Sequence, residues 1–124
     1  MKKILLVEDD ASTAELIKAL LLPSGYEVIH VENGSGAVRM AKEQSPNLIL
    51  LDVMLPGLDG YSIQAELLTD EETKGIPIIL MTIKTQLEPI FADASNVAGF
   101  LSKPFNITEL QAKIKSVLET KTKD

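Results

Sequence analysis

The chain contains no cysteine, which excludes disulfides, thiolate metal sites and thiol catalysis and fits a reducing compartment, so a cytoplasmic location is expected. Positive charge is scarce as well. Twelve Lys plus Arg stand against eighteen Asp plus Glu, a formal net charge of −6. Nucleic acid is bound mainly through a basic footprint on its phosphates, so direct nucleic acid binding is not expected. No apolar run approaches the roughly 20 residues that a membrane-spanning helix requires. The opening Met1 to Val7 has the look of a signal peptide, but Glu8, Asp9 and Asp10 cut its apolar stretch short, which argues against secretion and against a membrane role. Gly and Pro are not in excess, at seven and six, so nothing marks a disordered or linker-rich chain. What remains is 124 residues of globular composition, 45% of them apolar. That is one domain, expected over residues 1–120, with a polar tail at 121–124.

Four short apolar runs punctuate the chain: Ile4 to Val7, Leu48 to Leu51, Ile78 to Met81 and Phe100-Leu101. Runs of this length read as parallel strands buried on both faces. Tyr26 to Val31 adds a further strand after the Pro23-Ser24-Gly25 stop. Between the strands lie segments with helical spacing, such as Ala14, Ile17 and Leu21, or Leu110, Ile114, Val117 and Leu118. Ser12 with Glu15, and Asn106 with Glu109, have the spacing of capping boxes and set the expected starts of the first and last helices. The order is βα repeated five times, an α/β fold with five strands and five helices in a doubly wound three-layer sandwich.

In such sheets the ligand site lies beyond the carboxyl ends of the strands. There the sequence places Glu8, Asp9 and Asp10 after the first strand, Asp52 after the third, Thr82 after the fourth, and Ser102 with Lys103 after the fifth. Several carboxylates in one cleft repel unless a cation sits among them, and a hard divalent ion, Mg²⁺ by preference, suits oxygen donors. With positive charge from the ion and Lys103 to neutralise phosphoryl oxygens, Asp52 is placed to attack phosphorus, and Thr82 to offer a hydroxyl donor. Taken singly, each residue has an ordinary explanation: acids capping a helix, an Asp in a turn, a surface lysine. Their joint placement at successive strand ends is what favours a site.

These residues, with their neighbours, resemble the response-regulator receiver family. The match runs from Lys3 to about Leu118 and rests on Val7-Glu8-Asp9-Asp10, on Asp52-Val53-Met54-Leu55-Pro56-Gly57-Leu58-Asp59-Gly60, on Met81-Thr82, on Phe100 and on Lys103-Pro104-Phe105. The resemblance implies a flavodoxin-like strand order 2-1-3-4-5 and a phosphoacceptor at Asp52. It implies Mg²⁺ held by Glu8, Asp9, Asp52 and the backbone carbonyl of Met54, with Asp10 a neighbour and not a principal ligand. It makes Thr82 and Phe100 a switch pair, has Lys103 pair with the acyl phosphate, and puts a cis peptide before Pro104. It also implies phosphotransfer from a histidine kinase or phosphotransfer protein, followed by slow hydrolysis, so that the chain is a regulated substrate and not a turnover enzyme. Its output surface, formed by the fourth helix, fifth strand and fifth helix, would meet a downstream protein, and a homodimer is compatible with the pattern.

The sequence departs from the family at two places. Ile83 stands where a small residue is usual beside the site, and the segment from Thr82 to Lys103 is about one residue short and carries Pro89, which shortens or displaces the fourth helix. A receiver-like interaction module with little or no phosphorylation is therefore the rival reading. An aspartate-nucleophile phosphatase would need a second Asp where Met54 stands, and a flavin carrier would need a Gly-, Ser- or Thr-rich loop where Glu8, Asp9 and Asp10 stand. His30, the one histidine, falls in a strand expected at the sheet edge, away from the acidic cluster, and a structural role is expected for it.

Overall fold

The computed structural model describes residues 2–53, 60–82, 94–102 and 106–123. In chain order they form β1 (Lys3–Val7), α1 (Ala11–Leu21), a 3-10 turn (Leu22–Ser24), β2 (Glu27–Val31), α2 (Gly34–Gln44), β3 (Leu48–Asp52), α3 (Gly60–Thr69), β4 (Ile78–Thr82), β5 (Val97–Ser102) and α4 (Ile107–Lys123). The five strands make one parallel sheet in the order β2-β1-β3-β4-β5, the architecture and strand order expected from the sequence. The helix expected between the fourth and fifth strands falls on 83–93, outside the described residues. The helix expected fifth is α4.

Strand burial explains why some runs were easier to read than others. Every residue of β3 is buried, and so is all of β1 after Lys3, whereas the edge strands β2 and β5 are mostly half-buried or exposed. Central parallel strands are covered on both faces and therefore carry unbroken apolar runs, while edge strands do not need them. Alternation sorts the side chains between the two faces. Ile4, Leu6, Leu48, Leu50, Ile79 and Met81 meet Ala14, Ile17 and Leu21 of α1 and Leu110, Ile114, Val117 and Leu118 of α4. Leu5, Val7, Ile49, Leu51, Ile78 and Leu80 meet Ala37 and Ala41 of α2 and Ile63 and Leu67 of α3. Each fully buried Leu or Ile contributes about 1.5–3 kcal/mol of transfer free energy, so these two layers carry the sheet.

The helix boundaries bring one correction. Helix α1 starts at Ala11, and its N-cap is Asp10, in extended backbone (φ −86°, ψ 111°), whose carboxylate accepts from the Ser12 N–H at 3.3 Å and from the Thr13 hydroxyl at 2.5 Å. Asp is as good a cap as Ser, and it comes two residues earlier, so Ser12 is inside the first turn and not the cap. At the other end of the chain, α4 runs from Ile107 to Lys123. Its start agrees with expectation: Asn106 Oδ1 accepts from the Glu109 N–H at 2.8 Å. The 3-10 turn after α1 closes on Gly25 at φ 84°, a left-handed conformation that glycine adopts without a Cβ penalty.

Candidate functional site

Parallel register brings the strand ends to one edge. Val7 of β1 lies beside Val31 of β2 and Leu51 of β3, Asp52 beside Met81, and Thr82 beside Ser102. The residue after β1 and the last residues of β3, β4 and β5 therefore share the carboxyl edge, where the sequence had put them. Of the expected site residues, Glu8, Asp9 and Asp52 are brought together: one carboxylate oxygen from each lies within 4.8 Å of the others. Thr82 is placed by its backbone at the end of β4. Met54, Ile83, Lys103 and Pro104 lie outside the described residues.

The three acids are held differently. Asp52 ends the fully buried strand β3 and is itself 5% exposed. The backbone of the next residue, Val53, donates to the Met81 carbonyl at 3.1 Å, which extends the β3–β4 ladder past the acid. Glu8 is 1% exposed. Its N–H donates to the Val31 carbonyl at 3.1 Å, its own carbonyl accepts from the His30 ring at 2.7 Å, and its Oε2 accepts from the Asp10 N–H at 3.3 Å. Asp9 is exposed, at the open side of the cluster. Asp10 turns its carboxylate to the first turn of α1, which agrees with its expected place beside the cluster and not in it.

Two buried carboxylates and an exposed one at this spacing make an anionic cleft, and such a cleft is unfavourable in a low-dielectric setting without compensating positive charge. The donor set fits a hard divalent cation. Mg²⁺ takes oxygen ligands at about 2.0–2.1 Å, so oxygens on opposite sides of one ion lie roughly 4 Å apart, a span that this cluster matches. Open coordination positions beyond one exposed and two buried acids would be left for water or a ligand oxygen.

Phe100, expected as the aromatic half of a switch pair, is half-buried in β5, in register with Leu80 and packed against the face that carries α2 and α3. A groove of about 380 Å³ between β5 and α4 is lined by Phe100, Ser102, Glu109, Ala112, Lys113 and Ser116. The place of His30 corrects the expectation drawn from topology. The residue is in an edge strand as expected, but that strand is the direct neighbour of β1, and the ring reaches the backbone of Glu8. The signal was available: in the order 2-1-3-4-5, His30 pairs with Leu6, two residues before Glu8. Also unforeseen is a buried amide pair, Gln64 of α3 with Asn96 ahead of β5, joined by a 2.8 Å side-chain bond and by Asn96 Nδ2 donating to the Gln64 carbonyl at 3.2 Å.

Comparison with known proteins agrees with this fold. The profile of the response regulator receiver domain matches residues 4–115. Protein PilH of Pseudomonas aeruginosa is 32% identical over 119 residues, covering 95% of this chain and 98% of PilH. The DNA-binding dual master transcriptional regulator RpaA of a Synechocystis species is 33% identical over 95% of this chain, but the matching part is 49% of RpaA. The chain thus spans nearly all of the first relative and about half of the second. Among solved structures, the receiver domain of a sensor histidine kinase from Pseudomonas aeruginosa, with a magnesium ion coordinated in its active-site cleft, superposes with a TM-score of 0.86 at 36% identity, covering 95% of this chain and 98% of that one. A CheY-like receiver domain protein from Methanospirillum hungatei superposes at 0.90 with 27% identity, over 99% of this chain and 98% of that one.

Proposed function

The chain belongs to the response regulator receiver domain family, and from that premise we propose that it is a phosphorylation-dependent switch that accepts a phosphoryl group on Asp52. The observation that carries this reading is the convergence of the Glu8, Asp9 and Asp52 carboxylates within 4.8 Å at the carboxyl edge of the sheet. The donor is a histidine kinase or a phosphotransfer protein. An oxygen of the Asp52 carboxylate forms a bond to phosphorus as the phosphorus–nitrogen bond of the donor's phosphohistidine breaks. The product is an acyl phosphate, and its slow hydrolysis returns the carboxylate and inorganic phosphate, so the chain is consumed and restored as a substrate and is not a turnover enzyme.

Glu8, Asp9, Asp52 and the Met54 carbonyl are the ligands for Mg²⁺ in this reading. When bound, the ion supplies the positive charge that offsets repulsion between the acids and the phosphoryl oxygens. Burial of Asp52 at the end of β3 limits the directions from which phosphorus reaches it, and Asp9 is the exposed member of the cluster. Lys103 pairs with the acyl phosphate, and the Thr82 hydroxyl donates to it. The charge gained at Asp52 then biases a two-state equilibrium in which Thr82 and Phe100 move together. The read-out surface is the one the resemblance implies, the expected fourth helix with β5 and α4, with the groove beside Phe100 as its apolar part, and the partner is a downstream protein. The net charge of −6 favours a protein over nucleic acid, and no described helix is long and apolar enough to cross a membrane, which accords with action in the cytoplasm.

Intact-protein mass after incubation with a small-molecule phosphodonor, with and without Mg²⁺ and beside Asp52→Asn, tests the reading. Addition of one phosphoryl group that requires both Mg²⁺ and Asp52 is expected. No addition under any condition would favour an interaction module that keeps the fold without the chemistry.

A further inference from the structure

We propose that His30 is a positioning residue for the metal-binding acid Glu8, an assignment that rests on the divalent-cation site proposed above. The Nε2 atom of the His30 ring lies 2.7 Å from the Glu8 carbonyl oxygen. A carbonyl only accepts, so Nε2 carries the proton and donates. One residue along, the Val31 carbonyl accepts from the Glu8 N–H at 3.1 Å. Both polar groups of the Glu8 backbone are therefore tied to β2, one through the main chain and one through a side chain.

The place of this bond gives it its effect. Strand β1 ends at Val7 and β2 at Val31, so Glu8 lies where the regular ladder between them runs out and the chain turns into α1. Past the end of that ladder the ring of His30 reaches forward from its register partner Leu6 and donates to the Glu8 carbonyl. With the peptide clamped on both sides, the buried Glu8 carboxylate leaves the backbone in one direction, toward Asp9 and Asp52. Loss of the His30 donor removes one of the ties on Glu8, beside the Asp10 N–H bond to its Oε2, and widens the range of directions in which the carboxylate is held. The acids must then be ordered by the cation itself, which weakens its binding.

The test compares His30→Leu, which removes the donor, with His30→Gln, whose side-chain amide restores an N–H of similar reach. Mg²⁺ is titrated into each by calorimetry, beside a urea unfolding curve, with ring ¹⁵N spectra of the wild type. Because the chain has one histidine, a histidine label reports on this ring alone. We expect a protonated Nε2, a Mg²⁺ dissociation constant raised about three- to tenfold in His30→Leu, the effect of one hydrogen bond, and recovery toward wild type in His30→Gln. A purely structural histidine would shift the unfolding curves and leave Mg²⁺ affinity alone. The proposal is overturned by an Nδ1–H tautomer, by a change in affinity of less than about twofold in His30→Leu, or by a His30→Gln variant that binds as weakly as the Leu form. Should His30→Leu not fold, the tautomer and His30→Gln still decide. If wild type itself binds no Mg²⁺, the cation site falls and this inference with it, a result distinct from equal binding by wild type and variant.

Discussion

Ser45 closes α2 with φ 46° and ψ 57°, and among the described residues it alone, apart from glycine, sits in left-handed backbone. Its N–H donates to the Ala41 carbonyl at 3.1 Å and satisfies one of the helix's terminal carbonyls. A side chain with a Cβ costs roughly 1–2 kcal/mol in this conformation, and glycine avoids that cost while losing more chain entropy on folding. The first effect exceeds the second, so Ser45→Gly should stabilise the fold by about 0.5–1 kcal/mol, seen as a higher urea midpoint with an unchanged slope, and a fall in the midpoint would contradict the account. The same scale shows where sequence patterns mislead. Ser12 and Glu15 had the spacing of a capping box, yet Asp10 takes the cap, because spacing names a residue type without saying which of two adjacent candidates has the extended backbone. Asp52, Glu8 and Asp9 were legible as a group, since each follows or ends an apolar run. The His30 bond to Glu8 was not, because it depends on which strand lies beside β1.

At the scale of elements, the strands were read from apolar runs and the helices from three- and four-residue spacing, and both signals follow burial. β1, β3 and β4 are covered on two faces and α1 and α4 each present one apolar stripe, so their patterns are plain. The contacts that lock elements to each other are polar and leave no periodic trace. Gln64 and Asn96 are 3% and 5% exposed and pair across 32 positions of sequence, tying α3 to the start of β5. Asn96→Leu leaves the buried Gln64 amide without this partner and should cost about 1–3 kcal/mol. Adding Gln64→Leu should return part of that loss, since two apolar side chains leave no unmet donor. A double-mutant cycle by urea unfolding measures the coupling, and strictly additive effects would refute it. Between α2 and the end of α3, Lys42 Nζ lies 2.6 Å from Asp70 Oδ2. The hydrogen bond from Lys42 holds the Asp70 carboxyl below 3.8, and the same bond holds the Lys42 ammonium above 10.5. The lowered acid contributes stability above its unfolded value and loses it as pH falls through the folded one. The raised base contributes below 10.5 and loses it as pH rises further. Asp70→Asn should therefore lower the unfolding midpoint by a small, salt-sensitive amount that is constant across neutral pH, starts to shrink near 3.8 and is lost as pH falls through the lower folded value. A difference that instead grows in acid would reverse the assignment.

For the whole molecule, the sheet edge that carries the acids is a stability problem as well as a site. A fold this small has only a few kcal/mol to spare, and it draws two buried carboxylates and a third exposed one within 4.8 Å, an arrangement that a positive ion relieves and an unfolded chain does not have to bear. Class of fold and place of the site followed from the sequence because five strand ends fall on one edge whatever the details of the helices. Residues 54–59, 83–93 and 103–105 lie outside the described residues, and the roles of Met54, Ile83 and Lys103 rest on pattern alone. The coupling between site and fold is nonetheless open to measurement without them. An ion that binds the native cluster and not the unfolded chain stabilises by an amount set by its concentration relative to its dissociation constant, about 2.7 kcal/mol at a hundredfold excess. Saturating Mg²⁺ should thus raise the thermal midpoint of wild type, and Asp52→Asn should lose most of that rise, because one of the three converging carboxylates is gone. Equal gains in both proteins, or equal gains when Na⁺ replaces Mg²⁺ at matched ionic strength, would show general screening of an acidic chain and not a cation held between Glu8, Asp9 and Asp52.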